Sequence, residues 1–318
     1  MIELSIVVPA FNEENSLIEI ADRIEHTLAE MGKAESFEII FVDDGSKDGS
    51  RDILQKLAKE RPFVSAVFLR QNAGKSMALM AGFFHCEGQY VVTMDADLQD
   101  LPEDIPLLWK QIQRGFDCVC GWRTQRLTSW SRIVASRIFN LAAALATGLK
   151  LHDMNCGFKM FRRSATKNLY LFGDFHRYIP LLIHIQGFKV TEVPIRNDMR
   201  KYGESRYKAL RYEGVLDLMT ILFTYRFGVS PLHFFAGLSA LLIVPGLTVL
   251  AILVARHILW WFGAGEQLVD RPLLSLSLTM IMVGIQVFLT GFVCDFLLHH
   301  TMREKLEALV AANVEKVL

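Results

Sequence analysis

Apolar positions in the first half of the chain fall into short runs separated by helical patterns. Leu4–Val8 is an apolar run, read as a strand stopped by Pro9, and residues Ser16–Met31 carry apolar side chains at helical spacing. The alternation continues: strand Phe37–Val42, helix Asp48–Glu60, strand Val64–Leu69, helix Lys75–His85, strand Tyr90–Met94, helix Pro102–Arg114, strand Asp117–Gly121. Such β-α-β-α order predicts a mostly parallel, doubly wound α/β sheet. Further on, Arg132–Thr147 reads as a helix, Asp153–Arg163 as a strand or loop, and Phe188–Pro194 as a strand. A basic, aromatic stretch (Arg196–Arg211) leads into an amphipathic region, Tyr212–Phe227.

From Pro231 the pattern changes. His233–Trp260 and Leu273–Leu298 are each long and apolar enough to cross a hydrocarbon core of about 30 Å. Pro245 would kink the first span, which a bilayer tolerates when neighbouring groups satisfy the backbone. Arg226, His299, His300, Arg303 and Lys305 flank the outer ends, against a short connector carrying Glu266 and Asp270. The positive-inside rule then puts both ends and the large domain in the cytoplasm, in a multi-pass protein of the inner membrane. The expected organisation is a catalytic domain over 1–205, an amphipathic juxtamembrane region over 206–230, the two-helix hairpin within 231–298 and a cytoplasmic tail over 299–318. Within that region Arg206–Phe227 would lie at the lipid interface; the competing reading is a core-facing helix.

Composition narrows the picture further. The chain has 318 residues, a 52% hydrophobic share and zero formal net charge, and its mean hydropathy is +0.27. Zero net charge argues against a broad nucleic-acid-binding surface. The five cysteines lack zinc spacing, and Cys118-x-Cys120 has no second pair, so buried thiols in a reducing cytosol are expected. Met1–Val8 lacks a basic n-region and reads as a first strand, not a signal peptide.

Three polar clusters fall at carboxyl ends of predicted strands, where ligands bind in such sheets. They are Pro9-Ala10-Phe11-Asn12-Glu13, Asp43-Asp44-Gly45-Ser46 and Asp95-Ala96-Asp97-Leu98-Gln99-Asp100. Taken singly, the first two are ordinary strand-to-helix turns. In an extended strand Asp95 and Asp97 would point the same way. Two carboxylates so placed repel unless a cation neutralises them, and hard oxygens suit Mg²⁺ or Mn²⁺ carrying a substrate's phosphates.

Together with Asn72-Ala73-Gly74-Lys75, these clusters make the chain resemble family 2 glycosyltransferases. More narrowly, it resembles the polyprenyl-phosphate glycosyltransferases, the group of dolichyl-phosphate mannose synthase and the bacterial bactoprenol glucosyltransferases. The resemblance runs over roughly residues 2–225, and the hairpin matches the bacterial members. It implies a GT-A fold, a nucleotide-sugar donor, Mg²⁺ or Mn²⁺, and a polyprenyl-phosphate acceptor such as undecaprenyl phosphate in the bilayer. By position it implies Asp95, Asp97 and Gln99 as the metal and diphosphate group, with Ala96 at the nucleotide-sugar. Pro9, Phe11, Glu13 and Asp43 would line the base and ribose pocket; the family usually has Tyr where this chain has Phe11.

Donor and acceptor are both anionic, and a phosphate monoester is largely dianionic at neutral pH, so the reaction needs cations more than a strong base. Arg123, Arg126, Arg132 and Arg137 are candidates, as are Arg200, Lys201 and Arg206 with Ser205, in a string that resembles the family's Gly-x-Ser-Lys/Arg loop. Their competing role is contact with anionic head groups. Asp153, in Asp153-Met154-Asn155-Cys156-Gly157, is the acid available near the sugar, as a donor contact or general base, or else as a turn or cap residue. Asp97, Asp153 and Arg123 form the expected catalytic group.

The expected reaction is inverting transfer of one sugar, from a UDP-sugar in preference to a GDP-sugar. A processive polysaccharide synthase fits poorly, since Gln111-Ile112-Gln113-Arg114-Gly115 lacks the Trp of QxxRW and there are two spans. Another acceptor, protein or ceramide, is compatible with the same fold. A non-catalytic scaffold is disfavoured by the two repelling acids. The sequence leaves a homo-oligomer open.

Overall fold

The computed structural model describes residues 2–124, 144, 147–167, 169–171, 173–198, 219–221, 223, 227, 230–263 and 271–314. The chain divides into two compact units, Met1–Leu222 and Phe223–Leu318.

The first unit is built on β1 (Leu4–Ala10), α1 (Leu17–Glu30), β2 (Phe37–Asp43), α2 (Ser50–Glu60), β3 (Val64–Phe68), α3 (Lys75–His85) and β4 (Tyr90–Thr93). There follow α4 (Ile105–Ile112), β5 (Cys118–Arg123), β6 (Lys159–Arg162), α5 (Arg163–Thr166), α6 (Ile179–Ile185) and β7 (Val190–Ile195). The seven strands form one sheet in the order β3-β2-β1-β4-β6-β5-β7. All pairings are parallel except those of β6, which runs antiparallel between β4 and β5. This is the mostly parallel, doubly wound α/β arrangement expected of a GT-A domain.

Strands buried on both faces read as continuous apolar runs. β1 and β2 show this, with Ile6, Val7, Val8, Ile39, Ile40, Phe41 and Val42 all fully buried. One core lies under α1, where Leu17, Ile20, Ile24 and Leu28 repeat at helical spacing. The other lies under α3, α5 and α6, with Leu79, Phe83, Phe161 and Ile183.

Two expectations shift. β1 continues through Pro9 to Ala10, paired to Val42 and Asp43 of β2. On its other side β4 pairs only with Leu4–Val7, so the N–H that proline lacks has no strand to serve there. β4 ends at Thr93, so Asp95 and Asp97 stand in a turn beyond it, with Leu98 at φ 62°. The alternation of an extended strand therefore does not set their directions.

The second unit holds α7 (Pro231–Trp261) and α8 (Arg271–Val314). The apolar stretches Pro231–Trp261 and Pro272–Leu297 are long enough to cross a membrane and bury few of their own side chains. A Cβ at Gly284 would fall 2.5 Å from Ile243, and one at Gly291 2.4 Å from Phe235. Small residues thus let the two helices approach closely, as membrane helix pairs do. α8 runs without a break to Val314, so the residues expected as a separate tail begin inside a helix.

Candidate active site

The carboxyl ends of β1, β2 and β4 bring the three clusters to one edge of the sheet, as the alternating pattern predicts. The first two brace each other. The Asn12 N–H donates to Ser46 Oγ at 2.8 Å, the Lys47 N–H to Asn12 Oδ1 at 2.7 Å and the Glu13 N–H to Ser50 Oγ at 2.9 Å. Asp43 is fully buried; its Oδ1 accepts from the Ser46 N–H at 3.1 Å, while Oδ2 has no hydrogen-bond partner among the described residues. Pro9 and Phe11 lie in the same β1 end and loop, half-buried, beside Glu13.

Asp44 acts differently from its neighbour. Its carboxylate accepts from the N–H groups of Ala73 at 2.7 Å and Gly74 at 3.0 Å, tying the β2 loop to the start of α3. Burial, ahead of any other influence, raises its pKa; the two N–H bonds oppose the rise. Between them Gly45, at φ +72°, leaves no room for a side chain, since a Cβ would sit 2.6 Å from the Gln71 carbonyl carbon.

α3 begins with Lys75, whose Nζ donates to Asp95 Oδ1. Burial disfavours the Asp95 carboxylate, but Lys75 first and Arg123 next outweigh it and hold its pKa below the usual range. Lys75 already neutralises one of the paired acids, so their repulsion is not by itself a mark of a metal. Asp97 is half-buried, and its Oδ1 accepts from the Gln99 N–H at 3.2 Å in an Asx turn. Ala96 is buried. Below them Asp100, 3% exposed, is pushed up to about 7 by burial first and by Asp95 next.

Antiparallel β6 explains what else reaches this edge. Its first residue, Lys159, pairs with Thr93 at the end of β4, so the loop from Asp153 to Phe158 arrives at the acids. Thr93 Oγ1 donates to Gly157 O at 2.8 Å. A Cβ on Gly157 would lie 2.8 Å from Asp95 Oδ2. Asp153, fully buried, receives Arg123 Nε at 2.8 Å on Oδ2 and Nη2 at 3.4 Å on Oδ1. Next door, His152 is exposed, stacked on Trp122 at 4.2 Å and bonded to Glu192.

His176, in Asp174-Phe175-His176-Arg177-Tyr178, is a residue whose place beside the acceptor cleft the sequence leaves open. Its backbone N–H donates to Ser76 Oγ at 3.1 Å, and Ser76 Oγ lies 3.1 Å from Nδ1. Burial, then Lys75 and Arg177, push its pKa down to about 2, so the ring is neutral. Arg196 anchors the strand leaving β7: its backbone N–H and guanidinium bond Asp104 at 2.7–2.9 Å. Arg126, Arg132, Arg137, Arg200, Lys201, Ser205 and Arg206, with most of the expected helix Arg132–Thr147 and the amphipathic stretch, lie outside the described residues.

The chemistry of the expected ligands, hard oxygens, is the kind a divalent ion takes. Asp95 and Asp97 offer carboxylates, Gln99 an amide oxygen, and the bare Cα of Gly157 leaves the Asp95 carboxylate room. Among the described residues no three His, Cys, Asp or Glu side chains gather to hold an ion. One or two carboxylates completed by substrate phosphates is how Mg²⁺ is commonly held. Cys118 and Cys120 are buried free thiols with sulfurs 3.8 Å apart.

The carboxyl edge of the α/β sheet thus gathers Asp95 with Lys75, and Asp153 with Arg123, into ion pairs. The sequence profile of glycosyl transferase family 2 matches residues 5–170. A dodecaprenyl-phosphate galacturonate synthase of Rhizobium johnstonii is 32% identical over 303 residues, covering 93% of this chain and 88% of that protein. An undecaprenyl-phosphate 4-deoxy-4-formamido-L-arabinose transferase of Pseudomonas syringae pv. syringae is 35% identical over 268 residues, 82% of this chain and 77% of that one. A transferase of the same description from Pseudomonas aeruginosa is 34% identical over 299 residues, covering 92% and 84%. The chain belongs to glycosyl transferase family 2 and is a glycosyltransferase, similar over most of its length to enzymes named as polyprenyl-phosphate sugar transferases.

Proposed function

We propose that this protein transfers a single sugar from a nucleotide-sugar, UDP-linked in preference to GDP-linked, to undecaprenyl phosphate with inversion. The reaction takes place at the cytoplasmic face of the inner membrane. The observation that carries the reading is the Arg123–Asp153 pair, which holds a guanidinium near Asp95 at the carboxyl edge. The names of the relatives support the acceptor, and the two apolar helices support its delivery from a bilayer.

The buried, unpartnered Oδ2 of Asp43 is an acceptor that a nucleobase N–H satisfies, with Pro9, Phe11 and Glu13 completing the base and ribose pocket. Asp95, Asp97 and Gln99 would hold Mg²⁺ or Mn²⁺, which when bound would neutralise charge on the leaving nucleoside diphosphate. Ala96 presents the backbone between the two acids. Arg123 stabilises phosphate charge, and Asp153 keeps its guanidinium aimed. The acceptor phosphate, largely dianionic near neutrality, attacks the anomeric carbon directly, so no side chain need remove a proton. Arg126, Arg137, Arg200, Lys201, Ser205 and Arg206 complete the acceptor's phosphate site.

The test is transfer by the purified full-length chain to undecaprenyl phosphate in detergent. A panel of UDP- and GDP-sugars is offered, with Mn²⁺ or with EDTA. One donor should give a metal-dependent, lipid-linked sugar. Nucleotide and metal binding without lipid-linked product from any donor would sink the acceptor assignment.

A further inference from the structure

Lys75 sits where a divalent ion would have to compete. Its ammonium bonds Asp95 Oδ1, on the carboxylate assigned above to the metal. Its backbone is fixed on both sides. Ahead of it, Asp44 bonds the N–H groups of Ala73 and Gly74 at 2.7 and 3.0 Å. Behind it, Ser76 is buried and bonded to His176 at 3.1 Å. The side chain between these anchors is half-buried, 23% exposed, on a flexible four-carbon stem. The root is fixed, and the charge stands at the end of the flexible stem.

We infer that Lys75 is an exchangeable counter-cation: it balances Asp95 while no metal is bound, and it is displaced onto the donor's diphosphate when the metal arrives. Two cations on one carboxylate oxygen repel, so metal entry expels the ammonium. The nearest new anion is the diphosphate that the metal brings with it. An empty site therefore holds no unbalanced acid, and metal is favoured when it comes with nucleotide. This rests on the metal-dependent reading above.

The test uses the full-length protein in detergent and follows free Mn²⁺ by electron paramagnetic resonance, comparing wild type with Lys75→Gln and Lys75→Arg. Without nucleotide, Lys75→Gln should bind Mn²⁺ about two- to fivefold more tightly, the scale of a partly exposed ion pair, and Lys75→Arg should match wild type. With Mn²⁺ saturating, UDP and GDP are each titrated. Whichever binds should bind Lys75→Gln about tenfold more weakly, as the loss of one charge-assisted contact implies. A merely structural lysine would not move the two affinities in opposite directions. Equal or weaker Mn²⁺ binding by Lys75→Gln overturns the exchange. Sugar transfer undiminished by EDTA in the same preparations overturns the metal reading and this inference with it.

Discussion

Arg123 and Asp153 meet across 30 residues of sequence, Nε to Oδ2 at 2.8 Å, joining the end of β5 to the loop before β6. Asp153's side chain is fully buried and Arg123's is 22% exposed, so the acid is shielded and its partner reaches the edge. Removing the acid leaves a desolvated guanidinium, which costs about 3–5 kcal/mol in comparable buried pairs. Asp153→Ala should lower the melting temperature by roughly 10 °C, given about 2–4 °C per kcal/mol in a domain of this size. It should also reduce kcat. An unchanged melting temperature with lost activity would make Asp153 a chemical participant instead of Arg123's support.

Gly157→Ala tests the approach of the β6 loop to the acids. The added methyl would lie 2.8 Å from Asp95 Oδ2, so the carboxylate must move. Mn²⁺ affinity, measured by calorimetry, should fall by about tenfold, since a misplaced ligand loses about 1.4 kcal/mol or more. Undisturbed affinity would show that Asp95 does not ligate in the position seen.

Gly45→Ala tests the junction of the β2 and β3 loops. Its φ of +72° and a Cβ 2.6 Å from the Gln71 carbonyl carbon combine backbone strain with a backbone clash. A loss of about 2 kcal/mol or more is expected, above the 1–3 kcal/mol range's lower end for such strain alone. Guanidinium unfolding of the wild type and variant would measure it.

His176 should make stability depend on pH. Burial first, then Lys75 and Arg177, hold its pKa near 2, far below the unfolded value of about 6.5. The unfolded chain binds a proton below pH 6.5 that the folded chain refuses. The contribution is therefore fully present above that pH and lost as pH falls, by up to about 1.4 kcal/mol per pH unit. Melting temperatures between pH 7.5 and 5 should drop more steeply in wild type than in His176→Gln; parallel curves would refute a neutral buried histidine.

Asp97→Ala should abolish metal-dependent transfer while membrane insertion, followed by fractionation, stays unchanged. Turnover at the wild-type rate would remove Asp97 from the metal group.

The strands, the helices and their alternation were legible because burial on both faces writes continuous apolar runs, and a helix buried on one face writes a 3.6-residue period. That order alone placed Asp43 and Asp95 at one edge, since a parallel sheet puts the carboxyl ends of its strands together. The two apolar stretches were legible for the same reason, each being a single composition sustained over a span. What the sequence left undecided was contact between residues far apart in the chain. Nothing local marks β6 as antiparallel, yet that reversal brings Asp153 and Gly157 to the acids. Nor does any local pattern distinguish Asp43, with one oxygen left without a partner among the described residues, from Asp44, spent on the backbone of Ala73 and Gly74. Lys75 and His176 gain their roles from Asp95 and Ser76, 20 and 100 residues away. Periodicity records how each segment meets solvent; only the tertiary fold decides which charge meets which.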